Sequence, residues 1–513
     1  MILRSTARHR RTMGESTSRR TGPRTALALG TAAMLSIIGV PGDLPGASPF
    51  ATPQASAATL GSLPDSPARA PEAGALVDTG PFQLPATDDA WAADAQTFRY
   101  RSTDSMGRPT IDSAVHITPR APWTGPGPRP VVLIAPGTQG MGEHCDPSNA
   151  PVEGVAFIPG TPPDASIAYE SIFMVEHVKR GATVVMIDHH RSLDTGAQEY
   201  VDNIASGQSM LDAGVALREL GTDPAAPTAI YGYSQGGSAA GWAAEHASRY
   251  APELNVVASA AGAPPSDLNA VLDSVDGGLL MGVLGYAAVG LLSKDTALRD
   301  EIYDTVLNDR GREWFDMAGR TCVVGTALDS AFTDTSDLTV DGSSLKEVLG
   351  RYPQILAEME RQKLGKGAPT APTMLYGSIG DDVIPIGQIR ELRDAWEAKG
   401  APITYVEDQT PMIPGQLAIG HGPALLANAV GVVDFLWAHL VADATGAEPV
   451  SGRIPGLELT PGLPAAPLQA PFAAPSAPKA PTPATPEAPA APAAPGIPEI
   501  NAALPDLPFG PRF

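Results

Sequence analysis

The sequence predicts an α/β fold built on an open, mostly parallel sheet. Two observations carry this prediction. Short, continuously apolar runs, such as PVVLIA at 130–135 and TVVMI at 183–187, are typical of strands covered on both faces. Helical patterns separate these runs, as they must when right-handed crossovers connect parallel strands. The 513 residues leave room for roughly two to four domains of about 100 to 200 residues each.

Each predicted element follows from its local pattern. An early hairpin is expected over 98–101 and 113–117, with Gly107 in its turn. The other predicted strands are 130–135, 183–187, 228–231, 256–259, 374–376 and 403–406. The predicted helices are 210–220, 235–250, 386–399 and 423–441.

The alternation stops between 264 and 364, where the sequence is mainly helical. Such a segment between two strands of one sheet suggests a helical cap or lid over the edge where ligands bind. A membrane span is the alternative for its apolar run at 277–292, but these 16 Gly-rich residues are short for one. We therefore expect an α/β core in two parts, 59–263 and 365–445, with the cap inserted between them.

The N-terminal end has the layout of an export signal. Seven Arg precede an apolar run at 25–40, and small residues follow it. We expect residues 1–58 to be a signal peptide that is cleaved after Ala57 or Ala58, which leaves a mature chain with no transmembrane span. A retained membrane anchor is the alternative, but the run is shorter than the roughly 20 residues that a span needs.

The C-terminal end, 446–513, is rich in Pro and Ala. Of the 53 Pro in the chain, 16 lie in 461–513. Such a segment buries too little apolar surface to offset the entropy of ordering it, so we expect a disordered, extended tail. One role for the tail is a spacer that contacts the cell envelope, and the alternative is an extension without a partner.

Charge and cysteine content narrow the class of protein. Lys and Arg number 34 against 56 Asp and Glu, a net charge of −22, which disfavours nucleic acid and anionic membrane surfaces as partners. Two Cys are too few for a disulfide-dense scaffold or a four-cysteine zinc site. An exported location makes a disulfide between Cys145 and Cys322 reasonable.

The predicted chemistry centres on a GxSxG string, Gly232-Tyr233-Ser234-Gln235-Gly236. The string follows an apolar predicted strand and opens a predicted helix, which is the context that a nucleophile elbow requires. The sharp turn leaves no room for Cβ atoms beside the serine, and this explains the flanking glycines. Ser234 is therefore the predicted nucleophile, with a Gly-rich structural turn as the alternative.

A serine nucleophile needs a base, and three histidines follow it in the chain: His246, His421 and His439. His246 lies on the elbow helix about three turns away, and His439 lies late in the last predicted helix. His421 stands in the loop before that helix, where the base of this architecture is expected. The alternative is a loop histidine that caps the helix.

Two aspartates, Asp381 and Asp382, directly follow the predicted strand at 374–376. A carboxylate in this loop can reach the base across the carboxyl edge of the sheet. The spacing D-x-V-I-P favours Asp381 as the acid, with Asp382 as a solvated neighbour or a helix N-cap. An exposed turn is the alternative for both.

The oxyanion donors should be backbone N–H groups. One is expected from Gln235, which follows the nucleophile. The other is expected from the loop after 130–135, where Gly137 is the first choice and Thr138 the second.

Four longer stretches carry a family resemblance: FRYRSTDSMGRPTIDSAVHITP, APGTQGMGEHCDPS, YGYSQGGSAAGWAAEHASRYAPELNVVASAAGAPPSDL, and GDDVIP with the later His421. Together they resemble the secretory lipase family, α/β-hydrolases typified by fungal lipase A, and the resemblance covers roughly 85–442. It implies an α/β-hydrolase fold, a triad of Ser234, Asp381 and His421, and a helical cap between the sixth and seventh strands. It also implies a disulfide that ties the loop on the oxyanion side to the cap, and Cys145 and Cys322 stand in those two places.

One departure from the family concerns the residues after the TVVMI strand. The family tends to have Asp-Tyr and a Gly-rich turn there, whereas this chain has Asp188-His189-His190-Arg191-Ser192. The wall of the pocket near the site is therefore expected to differ. A metal site at His189 and His190 is disfavoured, because no Cys or further His lies within sequence reach.

The resemblance and the triad together predict a secreted or cell-envelope-associated lipase or esterase of the triacylglycerol lipase type. It would hydrolyse acylglycerol-like lipid esters, at a lipid–water interface, through an acyl-enzyme and without a cofactor or metal. Two alternatives stay open. An acyltransferase would pass the acyl group to an alcohol other than water, and a non-catalytic module would bind the envelope through the cap groove and the tail.

Overall fold

The computed structural model describes residues 67–85, 91–160 and 163–449. The predicted signal peptide at 1–58, and with it the cleavage site, lies outside the described residues. So does the Pro-rich tail, apart from its first residues, 446–449. Export and the tail therefore stay predictions.

Eleven strands occur in the described residues. They are β1 Leu76–Pro81, β2 Ala93–Thr103, β3 Pro109–Pro119, β4 Val131–Ala135, β5 Gly154–Ile158, β6 Asp164–Ala168, β7 Thr183–Ile187, β8 Pro227–Tyr233, β9 Asn255–Gly262, β10 Thr373–Ser378 and β11 Ile403–Asp408.

Twelve α-helices occur in the same residues. They are α1 Ser171–Lys179, α2 Asn203–Ala216, α3 Gln235–Tyr250, α4 Leu268–Val275, α5 Gly282–Leu292, α6 Thr296–Thr305, α7 Asp309–Ala318, α8 Val323–Ser330, α9 Leu345–Leu349, α10 Pro353–Gln362, α11 Ile386–Glu397 and α12 Gly422–Thr445. Two 3₁₀ turns, Glu143–Cys145 and Thr335–Leu338, complete the described elements.

Nine strands form one sheet in the order β1-β2-β3-β7-β4-β8-β9-β10-β11. The strands from β7 to β11 in this order are parallel, and β1, β2 and β3 pair antiparallel at one edge. The predicted mostly parallel sheet is confirmed. After β4 the chain adds β7 on one side of it, and after β8 the chain adds β9 on the opposite side. The strand order therefore reverses between β4 and β8, and ligands bind at such a reversal, outside the carboxyl ends of the strands.

The central strands are buried on both faces, as their continuous apolar runs predicted. Every residue of β4, β7, β8 and β10 is buried. Helices α2 and α3 pack on each other and on the sheet, and α1 packs on α12. The early hairpin is also confirmed, since β2 and β3 pair antiparallel and Gly107 takes the positive φ of +83° that its turn requires.

The structure differs from the prediction in a few elements. Strand β1, helix α1 and the separate two-stranded sheet of β5 and β6 are present in the structure and were not predicted. Helix α2 begins seven residues before the predicted start at 210, because Asp202 caps it by accepting the N–H of Ala205 at 3.0 Å. Its first half includes the small residues Ala205, Ser206, Gly207 and Ser209, and it packs closely on α3: a Cβ on Gly207 would lie 2.4 Å from the Trp242 ring.

The segment 264–364, which we call the helical insertion, lies between β9 and β10 and contains α4 to α10. Its buried Lys294 contacts a carboxylate of the core and one of the insertion. The Lys294 Nζ lies 2.6 Å from Asp202 Oδ2 and 2.6 Å from Glu358 Oε1. Burial alone would lower the pKa of Lys294, but Asp202 and Glu358 raise it overall, so the ammonium stays charged. The insertion is thus fixed to the core by a buried ion cluster.

The one described helix that is long and apolar enough to cross a membrane is α12. In its most apolar stretch, 61% of the residues are buried in the fold. Core helices of folded domains pass the same test of length and composition, so this helix is weak evidence for a span. The apolar run at 277–292 forms α5, which packs on α7 and α8 inside the insertion.

Candidate active site

Ser234 lies in a sharp turn between β8 and α3. Its φ of 55° and ψ of −121° fall in a region that non-glycine residues seldom adopt, a conformation that costs about 1–3 kcal/mol. Backbone crowding explains the glycines around it: a Cβ on Gly232 would lie 2.0 Å from Gly236 O, and one on Gly236 would lie 2.0 Å from Ala135 O. The strand, turn and helix predicted for this string are all present.

Asp381 and His421 are hydrogen-bonded to each other. The His421 Nδ1–H donates to Asp381 Oδ2 at 2.8 Å. The other carboxylate oxygen, Oδ1, accepts the N–H groups of Val383 at 2.9 Å and Ile384 at 2.8 Å. These two bonds fix the plane of the carboxylate, so Oδ2 faces the imidazole and holds it in the tautomer that has Nε2 free of a proton.

Asp382 has a different role from the one predicted. It is neither solvated nor a helix N-cap, because it is 8% exposed and its carboxylate accepts the N–H groups of Ala418 at 2.8 Å and Gly420 at 3.2 Å. These residues belong to the loop that ends at His421. Asp382 therefore holds the loop that carries the histidine, while Asp381 holds the ring itself.

His421 is fixed by its backbone as well. Its carbonyl oxygen accepts the Tyr233 hydroxyl at 2.7 Å, and its side chain makes no capping hydrogen bond to α12. The other two downstream histidines lie on helices and bond to their own backbones: His246 Nδ1 is 2.9 Å from Trp242 O, and His439 Nδ1 is 2.9 Å from Phe435 O.

The loop after β4 corrects the predicted oxyanion donor. The Gly137 N–H donates to Glu170 Oε1 at 2.5 Å, so it is already bound and is not available to an oxyanion. The Thr138 N–H, the second choice, has no acceptor among the described residues. Gln235 is the first residue of α3, so its N–H has no partner within the helix.

Ser234 and His421 line one large cavity of about 630 Å³. Most of its wall is apolar and comes from the helical insertion. Residues of the sheet edge close its polar end: Thr138, Tyr169, Tyr200, Tyr233, Ser234 and His421. The cavity extends from the candidate nucleophile into the insertion, and it offers a long apolar chain a place beside Ser234.

Cys145 and Cys322 form a disulfide, with their Cα atoms 5.6 Å apart. It joins the loop after β4 to the start of α8 in the helical insertion. Gly140 makes an isolated antiparallel bridge with Cys322, and a Cβ on Gly140 would lie 2.3 Å from the Cys322 Cα. Among the described residues, His144 and these two cysteines are the one group close enough to share a metal ion, but both sulfur atoms are in the disulfide.

The departure at His189 and His190 has a structural explanation. His189 Nε2 donates to Pro136 O at 2.8 Å, and His190 Nδ1 lies 2.8 Å from Asp112 Oδ1. The two rings thus bond to different parts of the core, beneath the loop after β4 and beside β3. Neither of them lines the cavity.

Comparison with known proteins decides the family. The family profile described as secretory lipase matches residues 163–427, which is more than half of the chain. The chain belongs to the secretory lipase family. The resemblance that the motifs indicated is confirmed.

This member of the secretory lipase family has bacterial and fungal relatives. It is similar to a Mycobacterium tuberculosis protein described as a probable inactive lipase, with 27% identity over 60% of this chain and 67% of that protein. It is also similar to the secreted triacylglycerol lipase LIP4 of Malassezia globosa, with 26% identity over 55% of this chain and 60% of that protein. The chain thus spans about two thirds of these curated relatives or less.

Solved structures share the fold of this family member. Candida antarctica lipase A in its closed state is 21% identical, with a TM-score of 0.61 over 74% of this chain and 84% of that one. The rice cell wall degrading esterase LipA from Xanthomonas oryzae is 19% identical, with a TM-score of 0.54 over 71% of this chain and 97% of that one. The predicted α/β-hydrolase fold is confirmed.

Sequence reasoning missed several residues of this site. Tyr169, Glu170 and Tyr200 contact the loop after β4, yet they stand 31 to 62 positions from it in the chain. A local pattern carries no signal for such partners. The acidic pair Asp381-Asp382 was visible, but only the fold reveals which carboxylate faces the imidazole.

Proposed function

We propose that this family member is an exported lipase or esterase that hydrolyses carboxylic esters of lipids through an acyl-enzyme. The observation that carries the proposal is that Ser234 and His421 open into one large apolar cavity, with Asp381 bonded to His421 behind them. A serine nucleophile, a base of fixed tautomer and an apolar space for the acyl group are what this reaction requires.

In this proposal Ser234 Oγ attacks the ester carbonyl while His421 Nε2 takes its proton. Asp381 keeps the proton of the imidazole on Nδ1 and stabilises the imidazolium that forms. His421 then gives the proton to the leaving alcohol, and the acyl group stays on Ser234. In the second half of the cycle a water molecule, deprotonated by His421, attacks the acyl carbonyl; His421 then returns the proton to Ser234 Oγ as the fatty acid leaves.

The oxyanion of each tetrahedral intermediate would be bound by the backbone N–H groups of Gln235 and Thr138. Neither the Gln235 N–H nor the Thr138 N–H has an acceptor among the described residues, so both are available to an oxyanion. Each such donor contributes roughly 10²–10³-fold to kcat in enzymes of this kind. Gly137, whose N–H is bound to Glu170, is not proposed as a donor.

The cavity supports a long acyl chain as the substrate group. Its volume of about 630 Å³ lies within the roughly 300–1,000 Å³ of small-molecule sites, and its wall is mainly apolar. We therefore propose an extended acyl chain as the group that fills it, with the helical insertion acting as the cap that encloses the chain.

Export and location are also part of the proposal. Relatives from Malassezia are named secreted triacylglycerol lipases, and the basic and apolar layout of residues 1–58 supports the same route for this chain. The distinction between lipase and acyltransferase depends on which alcohol or water reaches the acyl-enzyme. Contact of the tail with the cell envelope stays a prediction.

A second candidate is a protein of this fold that binds lipid without turning it over. The observation in its favour is the Mycobacterium tuberculosis relative, which is described as a probable inactive lipase. Ser234, Asp381 and His421 are all present in this chain, with the bond between the last two formed, and this favours the catalytic proposal.

One experiment separates the two candidates. The full chain is incubated with a fluorescent alkyl phosphonate, and hydrolysis of p-nitrophenyl esters of 2 to 18 carbons is measured beside it. We expect labelling at Ser234, hydrolysis with a preference for long chains, and loss of both in Ser234→Ala, with kcat falling on the order of 10⁴-fold or more. A folded wild-type chain that neither labels nor hydrolyses would overturn the catalytic proposal in favour of lipid binding.

A further inference from the structure

The two residues before α1, Tyr169 and Glu170, both contact the loop after β4. Glu170 Oε1 accepts the N–H of Gly137 at 2.5 Å, and the Tyr169 hydroxyl donates to the carbonyl oxygen of Thr138 at 2.8 Å. These bonds hold the peptide groups on either side of the one that carries the Thr138 N–H. The direction of that N–H is therefore set by residues 169 and 170.

The buried carboxyl group of Glu170 bonds to the loop after β4 through both of its oxygens. It is 1% exposed, and its second oxygen, Oε2, accepts Gln139 Nε2 at 3.2 Å. Burial raises the pKa of Glu170 to about 8, although the Gly137 N–H acts in the opposite direction. Burying a carboxyl group is unfavourable, and an apolar side chain would fill the same space without that penalty. The polar group thus serves the geometry of the loop.

His189 holds the same loop from a third direction. Its Nε2–H donates to Pro136 O at 2.8 Å, and its φ of 62° lies in the left-handed region, at a cost of about 1–3 kcal/mol. Burial lowers the pKa of His189 to about 4, so the ring stays neutral with its proton on the nitrogen that bonds to Pro136. Three separate contacts thus orient a loop of four residues.

We propose that Tyr169 and Glu170 are positioning residues that aim the Thr138 N–H at the oxyanion. This inference rests on the proposed function, because it assumes that Ser234 forms a tetrahedral intermediate. Because Glu170 accepts the Gly137 N–H, that neighbouring group is not directed at the oxyanion. The pair therefore decides which of two neighbouring N–H groups faces the site.

The consequence concerns kcat more than KM. The oxyanion forms only in the transition state and the intermediate, so a donor that is misaimed weakens transition-state binding and leaves ester binding unchanged. A displacement of about 1 Å at such a donor is enough for a loss on the order of 10² in rate.

The test uses three variants of the full chain with p-nitrophenyl octanoate as the substrate. Tyr169→Phe keeps the ring and removes one hydrogen bond, so kcat should fall about 3- to 10-fold. Glu170→Leu leaves the Gly137 N–H without its acceptor, so kcat should fall about 10- to 100-fold. Glu170→Gln still offers an oxygen to Gly137, and its kcat should stay within about 5-fold of wild type. KM should change less than kcat in all three.

Glu245 provides the matched control. It is another buried glutamate, and its two oxygens accept the N–H groups of Gly365 at 2.5 Å and Gly367 at 3.0 Å, far along α3 from Ser234. Glu245 also accepts the Trp396 Nε1–H at 2.7 Å, so Glu245→Leu should lower stability at least as much as Glu170→Leu does. It should nevertheless leave kcat within about 3-fold of wild type when the folded fraction is equal. A fall in kcat equal to that of Glu170→Leu would show a general effect of removing a buried carboxyl group and overturn the proposal.

A second readout follows the oxyanion itself. A trifluoromethyl ketone with an octyl chain forms a tetrahedral adduct with the serine, and its affinity should fall in each variant by the same factor as kcat. An unchanged kcat in folded Glu170→Leu would overturn the proposal. If Glu170→Leu does not fold, an unchanged kcat in Tyr169→Phe would do so. Activity that persists in Ser234→Ala would instead refute the proposed function.

Discussion

Replacement of Asp381 by Asn tests the candidate triad most sharply, because the structure fixes which way the amide must point. Oδ1 of Asp381 accepts two backbone N–H groups, from Val383 and Ile384. An Asn at this position keeps those bonds only if its oxygen takes the place of Oδ1. Its NH₂ group then faces His421 Nδ1, which has to become an acceptor, so the ring proton moves to Nε2 and the base is lost.

The expected loss follows from that geometry. A base held in the wrong tautomer costs roughly 10³–10⁴ in kcat, or about 4 to 5.5 kcal/mol of transition-state stabilisation. The alternative orientation of the amide would aim NH₂ at two N–H donors and leave them unpaired, at about 1–3 kcal/mol for each group. The wrong tautomer is therefore the more favourable state, and the free energy of unfolding should change by only about 1 kcal/mol.

Asp382→Asn is the natural comparison. Its single oxygen can accept only one of the N–H groups of Ala418 and Gly420, so the loop before His421 should loosen without a change of tautomer. We expect kcat to fall roughly 5- to 50-fold, with a loss of about 1–2 kcal/mol in the free energy of unfolding.

Both Asp variants are assayed with p-nitrophenyl octanoate, and their unfolding is followed in denaturant. If Asp381→Asn kept more than a tenth of the wild-type kcat, or if Asp382→Asn lost more, the assignment of the acid would be wrong.

Three further predictions concern stability. Reduction of the Cys145–Cys322 disulfide opens a loop of 177 residues and should lower the free energy of unfolding by up to about 5 kcal/mol; an unchanged melting temperature with dithiothreitol would contradict this. Gly236→Ala, whose Cβ would lie 2.0 Å from a carbonyl oxygen, should cost about 3 kcal/mol or more, whereas Gly387→Ala, in helix α11 with nothing within 4 Å, should stabilise by up to about 1 kcal/mol in the same melts. His177 is buried with neither ring nitrogen partnered by any described residue, and burial lowers its pKa to about 3. The unfolded chain therefore binds the extra proton below about pH 6.5, so the stability of His177→Phe relative to wild type should rise by about 2 kcal/mol from pH 8 to pH 5, and a constant difference in denaturant titrations would refute this.

Elements whose sequence pattern lies within one short stretch were predicted correctly. The apolar strands and the elbow helix α3, predicted at 235–250 and observed at Gln235–Tyr250, depend on patterns within one element. The crowding that requires Gly232 comes from Gly236, four positions further along the same elbow. Such features could be predicted because their causes and their sequence signals lie in the same short stretch.

The remainder depends on partners that are distant in the chain. Which of Gly137 and Thr138 has an unbound N–H is decided by Glu170, 33 positions away. Whether Asp382 is solvated is decided by the backbone of Ala418, 36 positions away. Helix α2 was misplaced because its first turns pack through small residues, which show no apolar periodicity. Spacing alone could not resolve these alternatives.

The wall of the cavity has a consequence for how substrate range can change over generations. Of the 38 residues that line it, 25 come from the continuous segment 264–364, whereas Ser234, Asp381 and His421 come from turns and loops at the sheet edge outside it. If the proposed function holds, mutations within that one stretch of the gene would reshape the space for an acyl chain and leave the candidate triad unchanged. Related proteins could then come to accept different acyl chains while they keep the same reaction.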